Sequence, residues 1–165
     1  MIYSGRAATM KIERMIISGG QTGSDRAALD FALEHKLPCG GYCPKGRKSE
    51  DGPIPLKYPL EELAKRSYAA RTKKNVEIAD GTVIFLWRKD FQKGTQLTMN
   101  YCQKIGRPFF IYRLNQPNSQ QSLKLKHWLD SNQIAILNVA GNRESEDPGI
   151  YQMSHRVLQA IFLDH

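Results

Sequence analysis

Long apolar runs are missing from this sequence. No segment reaches the roughly 20 apolar residues that a membrane-spanning helix needs, and the opening residues carry no apolar stretch of the secretory kind, so a cytoplasmic location is expected. Cysteine is scarce: Cys39, Cys43 and Cys102 make an odd number. Without an export signal, that argues for reduced thiols over a disulfide framework. Cys39 and Cys43 have His35 nearby, but C-x3-C is not a usual zinc spacing and no second pair follows, so no protein-ligated metal is expected. The standard nucleotide fingerprints, G-x-G-x-x-G and G-x-x-x-x-G-K-[ST], are also lacking. Acidic side chains are in deficit, with 16 Asp and Glu against 24 Lys and Arg, a formal charge of +8. The cations are scattered, with neither an arginine-rich block nor an aromatic-basic module. This disfavours nucleic acid relative to a solvated basic surface or a positive pocket for an anionic small molecule.

What is present is an ordinary globular composition, 41% hydrophobic and 24% charged over 165 residues. We read residues 1–14 as a polar lead-in and 15–165 as a single domain. The chain is organised around Met15 to Asp30, a short apolar strand, a glycine-rich turn and the start of a helix. Gly19, Gly20 and Gly23 let the backbone take positive φ and turn several N–H groups toward one point. Ser24 or Thr22 is placed to cap the helix. A helix N-terminus beside such a turn is an anion site, with a plain strand-to-helix connection as the alternative. Asp25, in the first helical turn, suits either the helix dipole or a ligand or magnesium contact.

Further along, a helix is expected from about Asp25 to His35, ending before Pro38, and a weak strand over 37–42. Residues 43–59 hold four prolines and two glycines, with Lys45, Arg47, Lys48, Glu50 and Asp51 among them. A loop of that length is functional or mobile, and we read it as a lid or wall over the first turn. A helix is expected over 60–79, broken near Ser67 to Thr72. On it Arg71 and Asn75 stand at i and i+4, able to reach one ligand together or to remain solvated. Asp80 reads as a turn residue. Thr82 to Trp87 is the strongest strand, apolar throughout and so buried on both faces. Lys93 to Thr98 opens a helix with Leu97, Tyr101, Cys102 and Ile105 inward, and Gly94 and Thr95 form a second candidate anion site at its start. A strand at 108–112, a helix at 120–131 and a strand at 134–139 follow. A polar loop containing Gly141 and Arg143 then leads to a closing helix over 149–163. His127 and His155 show no carboxylate or cysteine partner in the pattern.

Strand–helix alternation predicts an α/β fold: a three-layer, Rossmann-like parallel sheet of about five strands with helices on both faces. Ligands of such sheets bind beyond the carboxyl ends of the strands. The loops at 19–24, 93–95 and 141–145 all follow strands and converge on that edge. Gly20, Gln21, Thr22, Gly23 and Ser24 are expected to hold a phosphate through backbone N–H groups, with Arg26, Arg47 and Arg143 complementing its charge.

The blocks Ser18-Gly19-Gly20-Gln21-Thr22-Gly23-Ser24-Asp25-Arg26, Cys43-Pro44-Lys45-Gly46-Arg47, Arg71-Thr72…Asn75 and Gly94-Thr95…Thr98 together resemble the molybdenum carrier (molybdenum cofactor carrier) family over nearly the whole chain. That resemblance implies a Rossmann-like sheet, assembly into a homo-oligomer (dimer or tetramer), and binding of molybdenum cofactor, or molybdopterin, a pterin bearing a phosphate; otherwise the ligand is a nucleotide. A more distant similarity is to lysine-decarboxylase-like phosphoribohydrolases. Their signature couples a helix arginine, matched by Arg71, to a P-G-G-x-G-T-x-x-E loop, matched in part by Gly94-Thr95. Thr98 stands at the glutamate position, which removes the acid/base and favours a binding protein over a hydrolase of nucleoside monophosphates.

Overall fold

The computed structural model describes residues 12–115 and 119–163. Residues 12–14 have no regular structure, and the rest of the expected lead-in, 1–11, lies outside the described residues. Strand β1 (Met15–Ile17), β2 (Cys39–Gly40), β5 (Gly81–Leu86), β6 (Phe109–Arg113) and β7 (Ile136–Gly141) form one parallel sheet in the order β2-β1-β7-β5-β6. Two further short strands, β3 (Tyr42–Cys43) and β4 (Glu61–Glu62), pair with each other in parallel. The helices are α1 (Ser24–Glu34), α2 (Tyr68–Ile78), α3 (Lys93–Ile105), α4 (Ser119–Ser131) and α5 (Ile150–Phe162).

Alternation along β5 explains why the sheet is covered twice. All six of its residues are buried, and successive side chains point to opposite faces. Val83 and Phe85 join Phe31 of α1, Leu125 and Leu129 of α4, and Leu158 of α5 in the main core. On the other face, Thr82 hydrogen-bonds the buried Cys102 of α3, which packs with α2. The expected α/β architecture with helices on both faces is therefore present.

Four local expectations need correction. The stretch 60–66 is not helical: Glu61 N–H donates to the Gly41 carbonyl and Leu63 N–H to Cys43, drawing Glu61–Glu62 into a strand. Helix α2 starts only at Tyr68, where the Ser67 side chain accepts from Ala70 N–H. The strand expected over 37–42 divides at Gly41, whose φ of 124° sends β2 into one sheet and β3 into the other. Neither Ser24 nor Thr22 caps α1. The N-cap is Gly23, and Ser24 Oγ instead pairs with Ser154 Oγ of α5 at 2.7 Å. On α3 the inward face is Thr95, Thr98 and Cys102, while Leu97 and Tyr101 are half-buried and Ile105 is exposed. Polar residues turn inward there because that face borders the cleft described next.

Candidate functional site

β1, β5 and β7 run parallel, so their carboxyl ends open on one edge, and a cleft lies there. Its floor is β7 (Asn138 to Gly141). One wall is Gly19, Gln21 and Asp25 from the first turn. Arg71, Thr72 and Asn75 of α2 form another, and Gly94, Thr95 and Thr98 of α3 with Arg143 and Glu146 complete it. The cleft volume is about 50 Å3, room for roughly three to five water-sized groups.

The deepest interaction is between Asp25 and Arg71. Arg71 Nη1 donates to Asp25 Oδ2 at 2.7 Å, and both residues are more than nine-tenths buried. Burial pushes the Asp25 carboxyl above its ordinary value, against the lowering pull of Arg71 and the Gln21 N–H. Gly19 makes the pair possible, since a Cβ there would coincide with the Arg71 guanidinium. Two buried donors in this cleft have no hydrogen-bond partner among the described residues: Arg71 Nε and Gln21 Nε2. The Gln21 amide orientation is fixed from its other end, where Oε1 accepts from Thr22 N–H and Glu50 N–H, both at 3.0 Å.

The glycine-rich turn is engaged mostly with its own chain. Gly20 N–H reaches Ser18 Oγ at 3.3 Å, Gln21 N–H reaches Asp25 Oδ2 at 3.2 Å, and Thr22 N–H takes the Gln21 amide oxygen. Gly20, Thr22, Gly23 and Ser24 shape the turn and do not line the cleft. Gly23, with φ 84°, is required because a Cβ would meet the Asn142 carbonyl. Arg26 turns back to the Gly20 carbonyl and Asp51. Arg47 holds the carbonyls of Ile54, Pro55, Tyr58 and Leu60. Lys45 is exposed and outside the cleft. Of the sequence-derived candidates, Gly19, Gln21, Asp25, Arg71, Asn75, Gly94, Thr95, Gly141 and Arg143 come together. Asn75 is also a clamp, bonding both the N–H and the carbonyl of Tyr42. Gly141 is needed where it is because a Cβ would collide with Ser24.

The 43–59 segment is the wall expected of it. Ile54, Tyr58 and Leu60 pack on Leu29 of α1 in a second small core. Glu50 fastens its tip, accepting from Thr22 Oγ1, Ser145 N–H and Ser145 Oγ, with Arg143 Nη1 at 3.9 Å. Desolvation works to raise this carboxyl, but the Ser145 and Thr22 bonds outweigh it and leave it lowered. Asp80 is the turn residue expected, accepting from Ala135 and Ile136 N–H. His155 corrects an expectation: its Nε2 lies 2.8 Å from Glu34 of α1. Among the described residues no three His, Cys, Asp or Glu side chains form a metal-holding group, and no helix is long and apolar enough to cross a membrane. Burial pushes all three thiols up, which disfavours the thiolate form.

Tyr68 was missed in the sequence. It begins α2 and its ring is surrounded by cations: Lys48 Nζ at 4.5 Å, Arg143 Cζ at 5.2 Å and Arg71 Cζ at 5.9 Å from its centroid. Its i, i+3 spacing to Arg71 was the available signal.

A family model, that of the circularly permutated YpsA SLOG family, matches residues 16–162. The chain belongs to that family. Among solved structures, this SLOG-family chain is similar to the crystal structure, at 1.45 Å resolution, of a protein named "putative molybdenum carrier protein" from Syntrophus aciditrophicus SB. The two are 39% identical, with 92% of this chain and 96% of that one covered and a TM-score of 0.88. The sequence resemblance to molybdenum carriers is thereby borne out, as is the Rossmann-like fold. Comparison with curated proteins gives no match.

Proposed function

We infer that this protein is a carrier or sensor that binds a small ligand bearing a phosphate or similar oxyanion on a heterocyclic body, with molybdenum cofactor as the specific candidate. The observation that carries the reading is the pair of orphaned buried donors, Arg71 Nε and Gln21 Nε2, in one cleft. A buried donor left unpaired costs about 1–3 kcal/mol, so two of them on residues that line one cleft call for an acceptor-rich ligand there. The cleft volume suits a tetrahedral head of that kind, with the heterocycle extending toward the open side. The neighbour's name supports molybdenum cofactor as the ligand to try first.

The anion head is held, on this reading, by side chains of Arg71 and Gln21, assisted by the first turn of α3 at Gly94 and Thr95. Gly19 and Gly141 provide the space, and Arg143 stands at the rim. A second reading, hydrolysis of nucleoside monophosphates, draws on one feature: Glu146 is a half-buried carboxylate lining the cleft, 3.6 Å from Arg143. Against it, Thr98 points its hydroxyl to the Gly94 carbonyl where the related hydrolases carry glutamate.

The test is native mass spectrometry of the protein as purified, followed by denaturation and identification of the released compound, alongside calorimetric titration with inorganic phosphate. A co-purifying pterin supports the carrier reading, whereas release of free base from nucleoside monophosphates supports the second. Gln21→Glu keeps the acceptor oxygen that Thr22 and Glu50 use but replaces the free donor by a carboxylate oxygen. It should lower phosphate affinity by at least roughly 10–100-fold, the loss of one hydrogen bond to a charged group. Unchanged affinity in that variant, with the fold intact, would sink the assignment.

A further inference from the structure

We propose that the cleft has a second anionic subsite at its mouth, built by Lys48, Arg143 and Tyr68, so that the ligand it suits carries two anionic groups in series. The proposal rests on the reading just given, which puts the first anionic group at Arg71 and Gln21.

The two subsites are contiguous through shared side chains. Arg71 lines the cleft, is held at Nη1 by Asp25, has no partner at Nε, and lies 5.9 Å from the Tyr68 ring one helical turn before it. The same ring gathers Arg143 from the β7–α5 loop and Lys48 from the 43–59 wall. Three segments of the chain thus bring three cations to one aromatic side chain, and two of those cations, Arg71 and Arg143, line the cleft.

Their neutralisation is uneven. Arg71 has Asp25 at 2.7 Å. Arg143 has only long contacts, 3.9 Å to Glu50 and 3.6 Å to Glu146, and the Glu50 carboxylate is already engaged by Thr22 and Ser145. Lys48 forms no salt bridge among the described residues, and its ammonium lies 4.5 Å from the Tyr68 ring centroid. The electron-rich faces of a phenol attract cations but do not cancel the repulsion between them. An oxyanion between Lys48 and Arg143 does, with the guanidinium supplying paired donors and the ammonium a point charge. A ligand with one anionic group fills the floor and leaves this rim unsatisfied.

Calorimetric titration with inorganic phosphate and with pyrophosphate, at equal ionic strength, separates the possibilities. Pyrophosphate should bind at least about tenfold more tightly than phosphate. Lys48→Ala should abolish that advantage while leaving phosphate affinity unchanged, and Tyr68→Leu, which releases the three cations from one another, should reduce it. Lys104→Ala, which removes the same charge from the exposed end of α3, should leave it intact. Equal affinity for the two anions, or an advantage that survives Lys48→Ala, overturns the second subsite while the first stands. Failure of both anions to bind overturns the first reading and this one with it.

Discussion

Gly19 illustrates how much one missing carbon decides. A side chain there would occupy the space of the Arg71 guanidinium, so the residue is glycine for a close approach and not for a left-handed backbone. Gly19→Ala should destabilise the protein by about 1–3 kcal/mol, the usual cost of overpacking. It should also displace Arg71 from Asp25 and so lose phosphate binding. Urea denaturation and phosphate titration check the two halves. Retained affinity in a stable Gly19→Ala protein would show that Arg71 does not need that position. The glycine was visible in the sequence, but its reason was not, because the group that fills the space stands 52 residues further along the chain. For the same cause, the turn's N–H groups read as free for a ligand. Their acceptors, Ser18 Oγ, Asp25 Oδ2 and the Gln21 amide, become evident only when the turn is folded.

Among the elements, the 43–59 wall is the one most dependent on charge. Arg26 donates to both Asp51 oxygens, and this lowers the Asp51 carboxyl to about 2. A carboxyl lowered on folding contributes stability above its unfolded value near 4 that is lost as pH falls toward 2. The wall should therefore loosen between about pH 4 and 2, seen as faster pepsin cleavage within 43–59. Asp51→Asn should already be cleaved quickly at pH 4. A cleavage rate that is flat across that window in the wild type would show that hydrophobic contacts of Ile54, Tyr58 and Leu60 alone hold the wall. At the alkaline end, burial and the Asp30 carboxylate both raise the phenols of Tyr58 and Tyr151, so their bonds to α1 persist past pH 10 and weaken only above it.

Element legibility followed length and periodicity. β5 and α5 carry long apolar patterns and were clear, whereas β3 and β4 are two residues each and offer none. The helix expected over 60–66 failed because Glu61 and Leu63 find backbone partners at Gly41 and Cys43, a tertiary pairing that overrides local helix propensity. Arg71 and Asn75 were legible as a pair because helical spacing alone put them on one side. Lys48 and Tyr68 were not, since their meeting depends on how the wall folds back.

At the scale of the whole molecule, the cleft is assembled from β1, α2, α3, β7 and the loop after it, so opening it requires more than a local fluctuation. A ligand bound there should stabilise against global unfolding by about 2.7 kcal/mol at 100 times its dissociation constant. For a chain of this size that corresponds to a Tm increase of roughly 5–10 °C. Thermal scans with and without pyrophosphate measure it, and an unchanged Tm at saturation would mean that the bound state can open without dissociating the walls.

The strand order carries a consequence for biosynthesis. β7 lies between β1 and β5 and pairs with both, so the middle of the sheet leaves the ribosome last among its strands. Until residues 136–141 emerge, no native backbone bond links the β2-β1 half of the sheet to the β5-β6 half. The edges of β1 and β5 that β7 covers in the finished sheet lack their partner until then, and unpaired strand edges are where chains join to one another. Pairings of such long sequence separation form slowly. The nascent chain therefore passes through an interval in which four strands of the sheet are made but the one that joins them is not, and the same strand completes both the sheet and the cleft floor.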